Sequence, residues 1–347
     1  MVRITLESLS PVSWGGYNRD ADPLLVRIPS IRGSVRKWYR WYLASMECAE
    51  PSSQEIWKED FDTFGGVHGG PKKSKVRLWY GSIQVLEKMQ MSHRDPFLWA
   101  LRKRRRTFYR IRFDLKVEAK ECKYLSRALK ALTLNLILGG FGFRSNRGYW
   151  SFKVLSFQED ADVCEEALEA LELARDASNS RNVAEWLQKV SKLFKYLHIS
   201  PCTRPKLWNI QNLSNCYIIT IGGYSGWRDA LRDTEIRLKN IERSLRFGGR
   251  NRFDYRVLLG SPVLDPFRRR KFVWRNRRSS PLILGVGGLD GEFVRGILLL
   301  SRDYPDEGPR GVITHFSGGK GLEMAFDLVR DRISREGFDT YWVGDLL

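Results

Sequence analysis

PSIRGSVRKWYRWYLASM, residues 29–46, reads as one helix with two faces of opposite character. Ile31, Val35, Trp38, Tyr39, Tyr42 and Leu43 fall at i, i+4, i+7, i+8, i+11 and i+12, an apolar stripe at the 3.6-residue period. Arg32, Arg36 and Arg40 stand one turn apart on another face, with Lys37 beside them. Like charges at that spacing repel by roughly a few tenths of a kcal/mol per pair. No Asp or Glu occurs between Pro23 and Met46 to relieve them, so the row implies an anion from outside. Ser30 stands where an N-cap belongs, and the free N–H groups of the first turn add to the attraction for a phosphate. Gly33 leaves room for a ligand backbone. The plainer alternative is a solvated basic face on an ordinary core helix.

Beyond this segment, 347 residues suggest two domains of roughly 150 to 180 residues each. Apolar residues make up 42% and aromatics 12%, enough for two cores and too much for a disordered basic tail. Lys and Arg number 59 against 40 acids, a net charge of +19, which attracts nucleic acid or an anionic membrane. No apolar run approaches the roughly 20 residues of a membrane span. MVRITLESL at the start alternates like a strand and lacks the regions of a signal peptide. Cys48, Cys122, Cys164, Cys202 and Cys216 are scattered and never form C-x-x-C, which argues against a disulfide framework or a zinc site. The expectation is a cytoplasmic protein with no cofactor, no metal and a nucleic-acid partner.

The charge is uneven. Residues 1–158 carry 29 Lys/Arg and 14 Asp/Glu, a net of +15, whereas 159–198 carry 5 and 9, a net of −4. Strand patterns at 1–9, 76–86, 107–118 and 149–157 and helices at 29–46 and 124–138 give the order strand, helix, strand, strand, helix, strand. That is a ferredoxin-like βαββαβ unit. A short helix near 54–61 and the FGGVHGGP cluster look inserted. Two helices, 159–177 and 183–197, read as a spacer. The second half repeats the order with strands at 216–221, 281–286, 293–301 and 340–343, a helix at 227–245, and a helix opened by GGKG (318–321) and running through Arg335. The expected fold is therefore α+β: two ferredoxin-like (βαββαβ, RRM-like) domains in tandem with helical insertions, at 1–158 and 199–347, with the spacer at 159–198.

GGFGFRSNRGYW, residues 139–150, carries the second basic motif. Gly139, Gly140, Gly142 and Gly148 let a phosphate backbone approach closely. Phe141 and Phe143 offer faces for base stacking, and Arg144, Ser145, Asn146 and Arg147 offer donors to phosphates or ribose hydroxyls. The segment follows a helix and precedes a strand, the reverse of a dinucleotide fingerprint, and the chain has no Walker loop. Arg102 to Arg106 form a further cationic run. Catalytic signals are sparse: His68, in FGGVHGGP, is the one candidate base for 2′-OH attack. The pairs Asp60/Asp62 and Asp303/Asp306 have spacing common on surfaces and are assigned no role.

LESLSPVSWGGYN, RIPSIRGSVRKWYRW, DTFGG with KVRLWYG, and LGGFGFRSNRGYWSF together resemble the RAMP superfamily of CRISPR-associated proteins. The S-I-R-G-x-V-R-K-W-x-R segment most resembles the first-numbered subunit family of the type III-B (Cmr) RNA-targeting complex. The likeness covers the first 157 residues, and RRSSPLIL (277–284) and the GGKG segment extend it more weakly. It implies a non-catalytic RNA-binding subunit of an antiviral ribonucleoprotein, holding the crRNA 3′ region or single-stranded target RNA beside other subunits of the complex. On that likeness Arg32, Gly33, Arg36, Trp38 and Arg40 match the family's helix segment, and Gly139, Gly140, Gly142 and Gly148 its loop. The expected RNA contacts are Arg32, Gly33, Arg36, Lys37, Arg40, Gly139, Gly140, Phe141, Gly142, Arg144, Ser145, Asn146, Arg147, Gly148, Arg277, Arg278 and Lys320. A RAMP endoribonuclease that processes repeat RNA, using His68, and a structural adaptor are the other two readings.

Overall fold

Alternation of period two builds the first sheet. In β1 (Val2–Ser8), Val2, Ile4 and Leu6 are wholly buried while Arg3 and Thr5 on the other face are half-buried. The computed structural model describes residues 1–13, 26–46, 53–67, 70–92, 94–96, 98, 106–141, 149, 151–159, 165–200, 213–247, 263–264, 271–272, 282–288, 294–301, 327 and 329–347. β1 is followed by α1 (Ile28–Ser45), α2 (Ser53–Phe64), β2 (Val76–Met91), β3 (Arg106–Ala119), α3 (Cys122–Leu138) and β4 (Phe152–Glu159). The strands lie in the order β2-β3-β1-β4, all antiparallel. Helices α1 and α3 pack together against one face of this sheet. Their apolar stripes meet Val2, Ile4, Leu6, Phe113, Leu115 and Val154 in one core.

α4 (Glu165–Ser178) packs on α3, β4 and α5 (Val183–Tyr196), whose Asn182 cap accepts from the Glu185 N–H at 2.9 Å. The second sheet joins β5 (Cys216–Tyr224), β8 (Leu282–Gly288), β9 (Val294–Ser301) and β10 (Asp339–Trp342) in the order β10-β5-β9-β8, again antiparallel throughout. α6 (Trp227–Phe247) lies against it, and residues 329–335 (α7) precede β10. Counted within its own half, each sheet reads fourth strand, first, third, second. A small ribbon of β6 (Val263–Leu264) and β7 (Lys271–Phe272) sits inside the basic stretch 243–278, and α8 (Val343–Leu346) ends the chain.

The halves touch. α3, buried along nearly its whole length, contacts β8 and β9, and the Tyr149 ring meets Trp227 at 6.3 Å. Arg228 reaches Asp95 at 3.6 Å, and the Leu213 N–H donates to Ser45 Oγ at 2.7 Å. Among the described residues, helix and strand positions follow the sequence expectation with ends moved by a few residues: β2 runs on to Met91, and the first acidic helix begins at Glu165; the GGKG segment, 318–321, lies outside the described residues. Cys122 is disulfide-bonded, a pairing that its spacing along the chain does not reveal. Cys216 is buried and lies outside any disulfide. Among the described residues no helix is long and apolar enough to cross a membrane, and no cluster of His, Cys, Asp or Glu has a metal site's composition.

Candidate nucleic-acid interface

α1 begins a turn earlier than the Ser30 cap would place it. Arg27 is the N-cap, Pro29 sits in the first turn with its φ already suited to the helix, and the Ser30 N–H donates to the Arg27 carbonyl at 3.0 Å. Ser30 is therefore inside the helix and caps nothing. Ile31, Val35, Trp38, Tyr39 and Tyr42 are buried as their spacing requires, joined by Trp41 and Ala44.

The arginine row does not face the glycine turn, and its anion is internal. Arg36 makes a two-pronged contact with Asp60 of α2, from Nε at 3.0 Å and Nη2 at 2.8 Å. The Arg40 Nη1 lies 3.9 Å from the same carboxylate, whose side chain is 0% exposed. Each guanidinium also covers an α2 ring: Arg36 over Phe61 at 5.4 Å and Arg40 over Trp57 at 4.2 Å. Burial, and then the Arg36 charge, lower the pKa of Arg32, whose Nη2 makes only a long 3.4 Å contact with the Val76 carbonyl. For Arg40 burial is again the main lowering effect, with Asp60 acting against it. The expectation of a free cationic face is corrected accordingly: Arg36 and Arg40 bind α2 to α1. Among the described residues, one carboxylate against Arg32, Arg36 and Arg40 still leaves two positive charges in excess.

What α1 presents to the glycine turn is Ser34 and Trp38. The Ser34 hydroxyl donates to the Gly140 carbonyl at 3.0 Å, and the Gly140 N–H donates to Asn135 Oδ1 at 3.1 Å. Gly139 has no room for a Cβ, which would meet Trp38 Nε1 at 2.7 Å and Asn135 Oδ1 at 2.8 Å. Glycine is needed here for close packing of turn against helix. Gly33 is the converse, exposed with nothing within 4 Å of a would-be Cβ. Lys37 lies one turn after Gly33 and three residues after Ser34, and its Nζ is 4.5 Å from the centre of the Trp41 ring. Burial first, and the neighbouring Arg40 second, bring the Lys37 ammonium down to about 7.

Phe141 is a second correction. It is fully buried and packs on Phe152 at 5.5 Å, so it belongs to the core and is no stacking platform. An aromatic between glycines looks exposed in sequence, but the turn it follows is pressed onto α1. Gly142, Arg144, Ser145, Asn146, Arg147, Gly148, Arg277, Arg278, Lys320 and the histidine candidate His68 lie outside the described residues. Asp60 and Asp62, unassigned from sequence, hold Arg36 and the Tyr124 hydroxyl (2.9 Å) respectively. Asn135 and Ser34 went unnoticed because each is an ordinary polar residue until the turn folds back on it.

Two antiparallel sheets with one shared strand order and helices packed against them place the chain among α+β proteins. That architecture is the fold of Cmr1. The chain aligns with Cmr1 from Pyrococcus furiosus in its apo form over 99% of both chains, at a TM-score of 0.59 and 19% identity. It aligns equally with a chain of the type III-B Cmr-β complex bound to cognate target RNA, over 96% of this chain and 99% of that one, at 0.62 and 14%. The same complex with AMPPnP in the presence of ssDNA, state 2, gives 0.60 and 14% over the same shares. No protein-family model and no curated protein matches the sequence.

Proposed function

We propose that this chain is a non-catalytic, RNA-binding subunit of a type III-B CRISPR ribonucleoprotein, built from two ferredoxin-like RAMP domains at 1–158 and 199–347 with 159–198 between them. The observation that carries the reading is likeness along essentially the whole chain to Cmr1 and to a chain of an RNA-bound Cmr complex. The equivalent strand orders of the two sheets support the duplication. A net charge of +19, with two uncompensated arginine charges on α1 among the described residues, supports a polyanionic partner. The RNA is the crRNA 3′ region or single-stranded target, the remaining partners are the other subunits of the complex, and the setting is cytoplasmic antiviral defence.

The test is fluorescence anisotropy of the purified full-length protein with a labelled single-stranded RNA across a salt series. With six to eight phosphates neutralised, log K should fall with log salt at a slope of about −4 to −6, at about −0.7 per contact. The same RNA, incubated with and without EDTA, should remain intact on a denaturing gel. Absence of binding at low salt would remove the RNA-binding reading. Site-specific cleavage would replace it with the endoribonuclease.

A further inference from the structure

The face of the first sheet turned away from α1 and α3 carries one row that crosses all four strands: Trp79, Lys116, Arg3 and Gln158. Trp79 stands opposite Lys116, Lys116 opposite Arg3, and Arg3 opposite Gln158. Four strands span about 14 Å. The register makes Arg3 and Lys116 a directly opposed pair of like charges, an arrangement that opposes sheet formation. Among the described residues neither has a carboxylate within 4.0 Å.

Three acids of this face are already occupied. Asp114, in the next row, accepts from the Thr5 hydroxyl at 3.0 Å and from the Ser82 hydroxyl at 2.9 Å. Glu7, one row further, holds Arg112 at 2.6 Å and Lys153 at 3.4 Å, with Arg110 at 4.0 Å. Glu118 lies 3.9 Å from Arg77. Counting Arg3, Arg77, Arg110, Arg112, Lys116 and Lys153 against Glu7, Glu87, Asp114 and Glu118, the face carries two charges in excess. The excess sits in the row that also offers a half-buried indole, with the exposed Gln158 amide and, beside it, the exposed Ser156 hydroxyl.

We infer that this open sheet face is a second binding surface for single-stranded RNA, with a base stacked on Trp79 and the backbone phosphates drawn to Arg3 and Lys116. The inference rests on the RNA-binding reading above and adds a surface separate from α1 and the glycine turn. A platform of antiparallel strands with an aromatic face among cations suits unpaired bases, which every sequence can supply. Simple attraction of an acidic peptide would use the two cations and leave the indole idle.

The experiment measures anisotropy of a labelled 12-nucleotide single-stranded RNA with the full-length protein, its W79A, W79F and R3Q/K116Q variants, and thermal unfolding of each. W79A should weaken binding about fivefold or more, and W79F should stay within about twofold of wild type. R3Q/K116Q should reduce the salt slope by about 1.4 while holding or raising the melting temperature, because a repulsive pair has been removed. Normal wild-type binding with affinity and slope unchanged in W79A and R3Q/K116Q would overturn the sheet surface and leave the broader reading standing. A wild type that binds no RNA would overturn both. Equal loss in W79A and W79F with unfolding at lower temperature would reassign Trp79 to structure and overturn its stacking role.

Discussion

The arginine row of α1 and the Arg3–Lys116 pair of the first sheet look alike in charge and differ in what answers it. On α1 the repulsion among Arg32, Arg36 and Arg40 is relieved from within, by an Asp60 carboxylate that α2 inserts beneath Arg36 and Arg40. On the sheet two cations face each other across a strand pair, and the nearby acids are bound to other groups. A cation with an internal partner holds the fold together. A cation without one is available to a ligand. The number of positive charges in a segment therefore says less about binding than the placement of the nearest carboxylates, which local sequence does not reveal.

The largest effect expected from this contrast is at Asp60. Asp60→Asn removes a wholly buried charge that two guanidiniums share, and stability measured by urea denaturation should fall by about 3 kcal/mol. A loss below about 1 kcal/mol would mark an ordinary surface pair and return Arg36 and Arg40 to the pool of free cations. The same geometry explains why reversing Arg36 to Glu is a poor probe of RNA binding: it would set a second carboxylate against Asp60.

The difference between the two regions also marks how far the sequence could be read. Period-two alternation in Val2–Ile4–Leu6 and helical spacing in Leu125–Leu129–Leu132–Leu136 determine the elements, because burial of a face leaves a local imprint. The repeated order of elements was visible for the same reason. Pairing between distant residues leaves no such imprint: Asp60 lies 24 positions from Arg36, and Lys116 lies 113 from Arg3. The sheet row is further hidden by register shifts at Tyr80/Ile83 and Thr5/Leu6, which break simple counting along β2 and β1. Phe141 was misread because its burial is imposed by the docking of Gly139–Gly140 onto Trp38 and Ser34, not by its neighbours in sequence.

A smaller effect comes from the sheet's own internal anion, two rows from Arg3. Burial works to raise the Glu7 carboxyl, but hydrogen bonds and charges from Arg112 and Lys153 outweigh it and hold the group below the ordinary carboxylate value. A lowered folded-state pKa contributes stability that is present above the unfolded value of about 4.3 and is lost as pH falls through the folded one. Glu7→Gln should cost about 1 to 3 kcal/mol at pH 7 and remove that share of the acid-side decline in melting temperature. If the variant unfolds like wild type, Arg112 and Lys153 need no internal partner, and the distinction drawn between them and Arg3–Lys116 fails.

Lys37 separates the two surfaces most directly. With its folded-state pKa at about 7 and an unfolded value of about 10.4, the unfolded chain binds more protons across that interval, so stability rises with pH between them. Lys37→Met should therefore unfold at a higher temperature than wild type at pH 7, and the gap should close toward pH 10. A phosphate seated beside Lys37 would stabilise the ammonium and draw a proton onto it. RNA held between α1 and the glycine turn should then bind more tightly as pH falls through 7 to 8, with proton uptake measurable by calorimetry in buffers of different ionisation enthalpy. RNA held at Trp79, Arg3 and Lys116 would respond to salt without that uptake. Binding that takes up no proton in wild type, yet weakens in W79A, would assign the affinity to the sheet and leave the α1 cations to structure.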